Sequence, residues 1–324
     1  MSDSMRAPAS SAPPPTWTVH DENGMPHVAS NDRSQRLEPG TIVAGKYRLG
    51  EPIGRGAWST TYAAMQQPIG REVAIKIAGG ETGDPVLRER FAREARFLAQ
   101  IDHPNVVKVY EMGWLETGPA AIVMERMHGE TLQQRLDRDG AMAPRDAFEL
   151  VRQLLGAITE VHARAVVHRD LKPTNVFLAD RRGEIVPRLL DFGIGRDLRE
   201  VDRLTEVGRF VGSPAYLAPE QMMPQVTVDA RADLYTLGVL LFQTLTGQLP
   251  FVGQGPRVIM MVMRDAPPEP STLRPELGTT VDALIAKALS KKPDDRFQTA
   301  DEMSEALRIA TLAIDGDPVP DRRE

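Results

Sequence analysis

The chain has 324 residues, 41% of them hydrophobic, which is enough apolar material for one two-lobed domain plus a tail. Its formal net charge of -6 argues against a general nucleic-acid binder. Without any cysteine it can form no disulfide, thiolate nucleophile or cysteine-based metal site, a composition compatible with a reducing compartment.

Met1 to Ser11 lacks the apolar core of a secretion signal. Residues 1–40 are rich in Ser, Pro and Ala, include Pro13-Pro14-Pro15 and show no apolar periodicity, so a disordered tail is expected. Period-two alternation runs from Tyr47-Arg48-Leu49 to Val73-Ala74-Ile75-Lys76 with Gly and Pro turns between, the pattern of antiparallel strands. At Asp84-Pro85 the period becomes helical. Asp84 can cap, Pro85 fits the first helical position, and Phe91, Ala95, Leu98 and Ile101 mark the buried face. Two more strand-like runs follow Pro104, near Val106 to Tyr110 and Ala120 to Met124.

The remainder reads as mostly helical. Ala147, Val151, Leu154, Ile158 and Val161 form one amphipathic stripe. Leu234 to Leu245 is apolar but too short to cross a bilayer and is interrupted by Thr236, Gln243 and Thr244, so a buried helix in a soluble, cytoplasmic protein is expected. Thr299-Ala300-Asp301-Glu302 has the form of a capping box opening a last helix that ends near Ala313. Residues 314–324 are expected to be a short disordered C-terminus, with no sensor domain attached. A strand-rich first third ahead of a helix-rich remainder fits a small and a large lobe with a cleft between them.

The chemistry is concentrated in His168-Arg169-Asp170-Leu171-Lys172-Pro173-Thr174-Asn175, followed by Asp191-Phe192-Gly193. Asp170 can orient a hydroxyl nucleophile and receive its proton. Lys172 can neutralise charge on a moving phosphoryl group, and Asn175 and Asp191 offer the hard oxygen ligands that Mg²⁺ or Mn²⁺ prefers. Upstream, Gly54-Arg55-Gly56 follows one strand and precedes another, so its amides can approach phosphates, although a Gly-x-Gly is more often a plain hairpin turn. Lys76 lies in an apolar strand and could snorkel to solvent. Glu94, however, shares the buried face with Phe91 and Leu98, and an ionised carboxylate there is costly unless paired.

These motifs, in this order and at domain-scale spacing, resemble the protein kinase family from about Tyr47 to Ala313. His103-Pro104-Asn105, the Asp170 to Asp191 spacing and Gly212-Ser213-Pro214-Ala215-Tyr216 look like bacterial, eukaryotic-like (Hanks-type) serine/threonine kinases. The resemblance implies an α+β bilobal kinase fold. A small antiparallel-sheet lobe with one helix (about 47–124) would lead through a hinge (about 125–128) to a larger, mainly helical lobe (about 129–313), all within a domain at 41–313. It also implies ATP as phosphoryl donor, Ser/Thr hydroxyls of proteins as acceptors, no nucleic-acid partner and no membrane insertion.

Residue by residue, the family pattern makes Asp170 the base, Lys172 the charge stabiliser, Asn175 and Asp191 the metal ligands, and Lys76 with Glu94 the clamp on the α- and β-phosphates. The nucleotide would be lined by Ile53, Gly54, Arg55, Gly56, Ala57, Trp58, Ser59, Thr61 and Ala74. It would also meet the gatekeeper Met124, backbone groups of Glu125 and Met127, and Phe177 as the floor under adenine. Ser59 replaces the family's third glycine and Thr61 its usual valine. Trp58 is either a lid over the phosphates or a surface aromatic, and Glu130 either a ribose-side acid or a helix-start carboxylate. Glu220 in Ala218-Pro219-Glu220 would pair with Arg296, and Asp233 would anchor the catalytic loop. Arg169 could receive a phosphate carried by Thr205, or Arg209 could supply a fixed charge that makes phosphorylation unnecessary. The rival readings are a pseudokinase, a docking module without transfer, and a small-molecule phosphotransferase sharing the fold. The complete Lys76, Asp170, Asn175 and Asp191 set and the Ala218-Pro219-Glu220 ledge argue against them.

Overall fold

The computed structural model describes residues 14–21, 23–25, 37–56, 59–78, 96–116, 118–190, 214–223, 226–253 and 255–316. The chain forms two compact units, Met1–Ala99 with Lys108–Arg126, and Gln100–Val107 with Met127–Glu324.

The first unit is built on one sheet of eight strands: β1 (Thr16–Trp17), β2 (Val19–His20), β3 (Ile42–Val43), β4 (Tyr47–Arg55), β5 (Ser59–Gln66), β6 (Arg71–Ala78), β7 (Val109–Leu115) and β8 (Ala120–Glu125). Their order across the sheet is β1-β7-β8-β6-β5-β4-β3-β2. Alternation does the folding. Tyr47 and Leu49 on β4, Tyr62 and Ala64 on β5, Val73, Ile75 and Ile77 on β6, and Ala121 and Val123 on β8 all turn to one buried cluster. Leu98 and Ile101, expected on a buried helix face, are buried; residues 79–95, with Phe91, Glu94 and Ala95, lie outside the described residues.

Two expectations need correction here. Residues 14–20, expected to be disordered, instead form strands: β1 pairs parallel with β7 and β2 pairs antiparallel with β3. Trp17 is only 6% exposed and Val19 is fully buried. Two apolar residues straddling an outward Thr18 are the shortest possible period-two signal, and the surrounding Pro and Ser residues hide it. The strand expected near Val106 to Tyr110 begins instead at Val109. Val106 sits opposite Leu189 in a parallel bridge, with the Val107 amide donating to the Leu189 carbonyl (2.9 Å) and the Leu189 amide to the Asn105 carbonyl (2.8 Å), because Asn105 Nδ2 donates to Gln153 Oε1 and to the Pro187 carbonyl, each at 2.8 Å, and holds this segment in the second unit.

The second unit carries a three-stranded sheet, β11 (Glu184–Leu189), β10 (Val176–Arg181) and β9 (Gly129–Thr131), in that order. Its helices are α1 (Leu132–Asp139), α2 (Pro144–His162), α3 (Arg231–Thr246), α4 (Pro256–Arg264), α5 (Pro270–Leu273), α6 (Gly278–Ala288) and α7 (Ala300–Asp315). The stripe Ala147, Val151, Leu154, Ile158 and Val161 is wholly buried on α2, and α3 is buried on every side from Ala232 to Leu245. The β10–β11 hairpin was not anticipated. Its turn is signalled by Arg182 and Gly183, both at positive φ, with the Gly183 amide donating to Asp180 Oδ1 at 2.7 Å. At α7 only half of the capping box forms. Thr299 accepts from the Glu302 amide, but the Glu302 carboxylate accepts from Gln298 rather than from the cap, and the helix runs to Asp315. No helix among the described residues is long and apolar enough to cross a membrane.

Candidate active site

In the second unit the loop between α2 and β10 is shaped by a carboxylate it does not contain. Asp233, in the first turn of α3 and 1% exposed, accepts the amides of His168 (2.8 Å) and Arg169 (2.9 Å), and His162 Nε2 lies 2.8 Å away. Arg169 sits at φ 66°, a left-handed conformation that costs a side-chain-bearing residue roughly 1–2 kcal/mol and that the two charge-assisted bonds hold in place. The bend turns Asp170 into the loop, where its amide lies 3.3 Å from His168 Nδ1.

Three of the residues expected to do chemistry meet there. Lys172 Nζ lies 2.9 Å from Asp170 Oδ2 and 3.2 Å from Oδ1. Asn175, in a 3₁₀ turn at Pro173–Asn175, donates its amide nitrogen to the Asp170 carbonyl (2.8 Å) and to Oδ2 (3.0 Å). Oδ2 is therefore fixed by two donors, and Oδ1 takes the longer contact to the lysine. With both amide protons of Asn175 turned to Asp170, its Oδ1 is the atom left for a hard cation. Asp191, the second expected metal ligand, lies outside the described residues.

The segment after residue 213 is fastened to the same framework. Glu220 and Arg296 form a two-pronged buried pair at 2.7 Å on each side, and Arg296 also donates to the carbonyls of Ser290 and Lys291. Tyr216 donates its hydroxyl to Gln243 Oε1 at 2.8 Å, and burial pushes that hydroxyl's pKa up to about 12, so it remains a donor. Gln221 was not singled out from the sequence. Its Nε2 donates to the Arg169 carbonyl at 3.0 Å while its Oε1 accepts from Ala218, which ties the segment to the catalytic loop. Nor does sequence periodicity signal His162, a polar residue at the end of the amphipathic α2, or Gln221, in a 3₁₀ turn at Pro219–Met222.

In the first unit Lys76 occupies a central strand, paired with Thr61 of β5 and Ile122 of β8. Ala74 is buried between Ala63 and Met124 in register. Ile53, Gly54, Arg55 and Gly56 are exposed at the end of β4, and the Gly56 amide bonds to the Ser59 carbonyl at 2.9 Å, so Ser59 closes a hairpin. Ala57 and Trp58 lie outside the described residues, as does Thr205. The Glu125 amide is committed to the Lys108 carbonyl. In the second unit Met127 is half-buried, and Phe177 lies on β10 opposite Thr131. Glu130 just precedes the Thr131 cap of α1 and pairs with Arg138 at 2.6 Å.

The family model for the protein kinase domain matches residues 47–307. The chain belongs to the protein kinase family. It is 38% identical over 274 residues to the serine/threonine-protein kinase PknB of Mycolicibacterium smegmatis, covering 82% of this chain and 43% of that protein. It is also 38% identical over 289 residues to a probable serine/threonine-protein kinase of Streptomyces coelicolor, covering 87% of this chain and 42% of the relative. The chain thus spans about two fifths of the length of these curated relatives. The fold matches the crystal structure of the Mycobacterium tuberculosis PknI kinase domain with a TM-score of 0.67 and 26% identity, over 85% of this chain and all of that one. The kinase fold expected from the motifs is therefore the fold observed.

The kinase-family pair Glu220–Arg296 gives a direct stability test. Glu220→Ala leaves a buried guanidinium uncompensated and should cost about 3–5 kcal/mol, while adding Arg296→Met should recover much of that loss. Denaturant titration of both variants reads it; a Glu220→Ala midpoint equal to wild type would contradict the burial of the pair.

Proposed function

We propose that the chain is an ATP- and divalent-metal-dependent serine/threonine protein kinase that transfers the γ-phosphoryl group to Ser or Thr hydroxyls of proteins. The observation that carries this is the Asp170, Lys172 and Asn175 cluster, in which a carboxylate is held by a lysine and an amide. Asp170 orients the acceptor hydroxyl and takes its proton. Lys172 stays beside it and stabilises negative charge on the transferring group. Mg²⁺ or Mn²⁺ would supply charge neutralisation on the phosphates, held by Asn175 and Asp191. Among the described residues no cluster of three or more His, Cys, Asp or Glu could hold a metal by protein groups alone. One amide oxygen and one carboxylate suit an ion that takes the rest of its shell from phosphate and water.

On the sheet unit, Lys76 holds the α- and β-phosphates and is kept in place by Glu94, while Ile53, the Gly54–Ser59 loop, Thr61, Ala74, Met124 and Glu125 serve the nucleotide. The family pattern adds Met127, Glu130 and Phe177 to the nucleotide residues. Lys172 and Ser213 favour an aliphatic hydroxyl over a tyrosine acceptor. We place the kinase in the cytoplasm, where its donor ATP is found and a cysteine-free chain is at home. Thr205 is its autophosphorylation site, and Arg169 receives the phosphate. In support, Arg169 Nε is shielded from solvent and has no hydrogen-bond partner among the described residues.

Three outcomes follow. Asp170→Asn keeps the shape but removes proton acceptance, so turnover should fall ~10²-fold or more with ATP binding retained; near wild-type turnover in the purified variant would sink the assignment. Transfer should require Mg²⁺ or Mn²⁺, and Asp191→Ala should be inactive at every metal concentration; transfer persisting in excess chelator contradicts the metal assignment. Thr205 should be phosphorylated in the wild type and unmodified in Asp170→Asn, with Thr205→Ala less active. Mass spectrometry showing an unmodified Thr205 in fully active enzyme rules the switch out.

A further inference from the structure

Residues 14–20 lie ahead of the segment matched by the kinase family model, which begins at Tyr47. β1 and β2 are neighbours in the chain yet stand at opposite ends of the strand order, so the backbone at Thr18 joins the two edges of the sheet. Its bonds reach both edges. The Trp114 amide donates to the Pro15 carbonyl (2.9 Å) and the Glu116 amide to the Trp17 carbonyl (2.9 Å). The Val19 amide then donates to Glu116 Oε1 (2.8 Å), and the Ala44 amide to the Thr18 carbonyl (2.9 Å). Without this segment both edges would present unpaired backbone groups, a liability that sheets normally cover.

Trp17 is the anchor. Its ring stands 6.5 Å from that of Tyr47, centroid to centroid, and lies directly on Gly113, where any Cβ would overlap the indole, with Nε1 only 2.7 Å away. The same buried cluster holds Val73, Ile75 and Ile77. These alternate along β6 with Ala74 and Lys76, so Trp17 belongs to the packing on the face of that strand opposite the Lys76 side chain. Strands of two residues have almost no stability of their own, and the segment stays only while Trp17 and Val19 are buried.

We propose that residues 14–20 form a clasp that closes the sheet of the first unit, and that Trp17 is a positioning residue acting through β6 on Lys76. Closure stands on the geometry alone; the effect on nucleotide rests on Lys76 binding ATP phosphates. The test uses the full chain and the variants Trp17→Ala, Trp17→Phe, Gly113→Ala and the Trp17→Ala/Gly113→Ala pair. Hydrogen exchange at the Trp114, Glu116 and Ala44 amides should quicken about 100-fold or more in Trp17→Ala, given the usual cost of truncating a buried aromatic. Gly113→Ala should do the same by expelling the indole, yet add little in the Trp17→Ala background. Trp17→Phe should restore slow exchange. KM for ATP should rise several-fold in Trp17→Ala and Gly113→Ala with kcat changed less. Unchanged exchange in Trp17→Ala, or additive effects of the two substitutions, would overturn the clasp. Quickened exchange with unchanged KM would overturn the positioning role. A wild-type chain that transfers no phosphate would count against the kinase reading, while the exchange data still decide closure.

Discussion

The acceptor pair on Asp233 is the constraint on which the catalytic loop depends. A buried carboxylate is tolerated because each oxygen is used, one by the Arg169 amide and the other by the His168 amide and His162 Nε2. In return it holds Arg169 left-handed and so aims Asp170 at Lys172 and Asn175. The chain spends a fully buried helix, α3, on presenting that one group. The geometry of this loop is thus an outcome of helix burial, with polar groups fixed by apolar packing around them.

A second framework reaches the loop from the other side. The Glu220–Arg296 pair and the Tyr216–Gln243 bond fix the segment after residue 213, and Gln221 extends it to the Arg169 carbonyl. Arg169 is therefore gripped through both its amide and its carbonyl. Among the described residues its Nε has no hydrogen-bond partner.

Much of this was legible in the sequence because it is written in residue identity at fixed spacing. Asp170, Lys172 and Asn175 fall on one tight loop, so sequence proximity forces spatial proximity. Helix stripes such as Ala147 to Val161 were equally plain, since four turns of periodicity leave little ambiguity. What stayed hidden was short or relational. The β1 and β2 strands offer two inward residues among prolines, and Gly113 gains its meaning only from a tryptophan distant in sequence that lies upon it. Gln221 and His162 act by single hydrogen bonds across the fold, which no local pattern encodes. The displaced start of β7 has the same origin, a buried Asn105 whose partners, Gln153 and Pro187, are remote in sequence.

The central claim is that this loop transfers phosphate to protein hydroxyls. It is tested most directly by incubating the purified chain with γ-labelled ATP and Mg²⁺, a generic basic protein, and a panel of small alcohols and amines. The account predicts label on Ser and Thr of protein, including the chain itself, and none on the small acceptors. Label confined to a small molecule, or no transfer from a chain that still binds ATP, would contradict it.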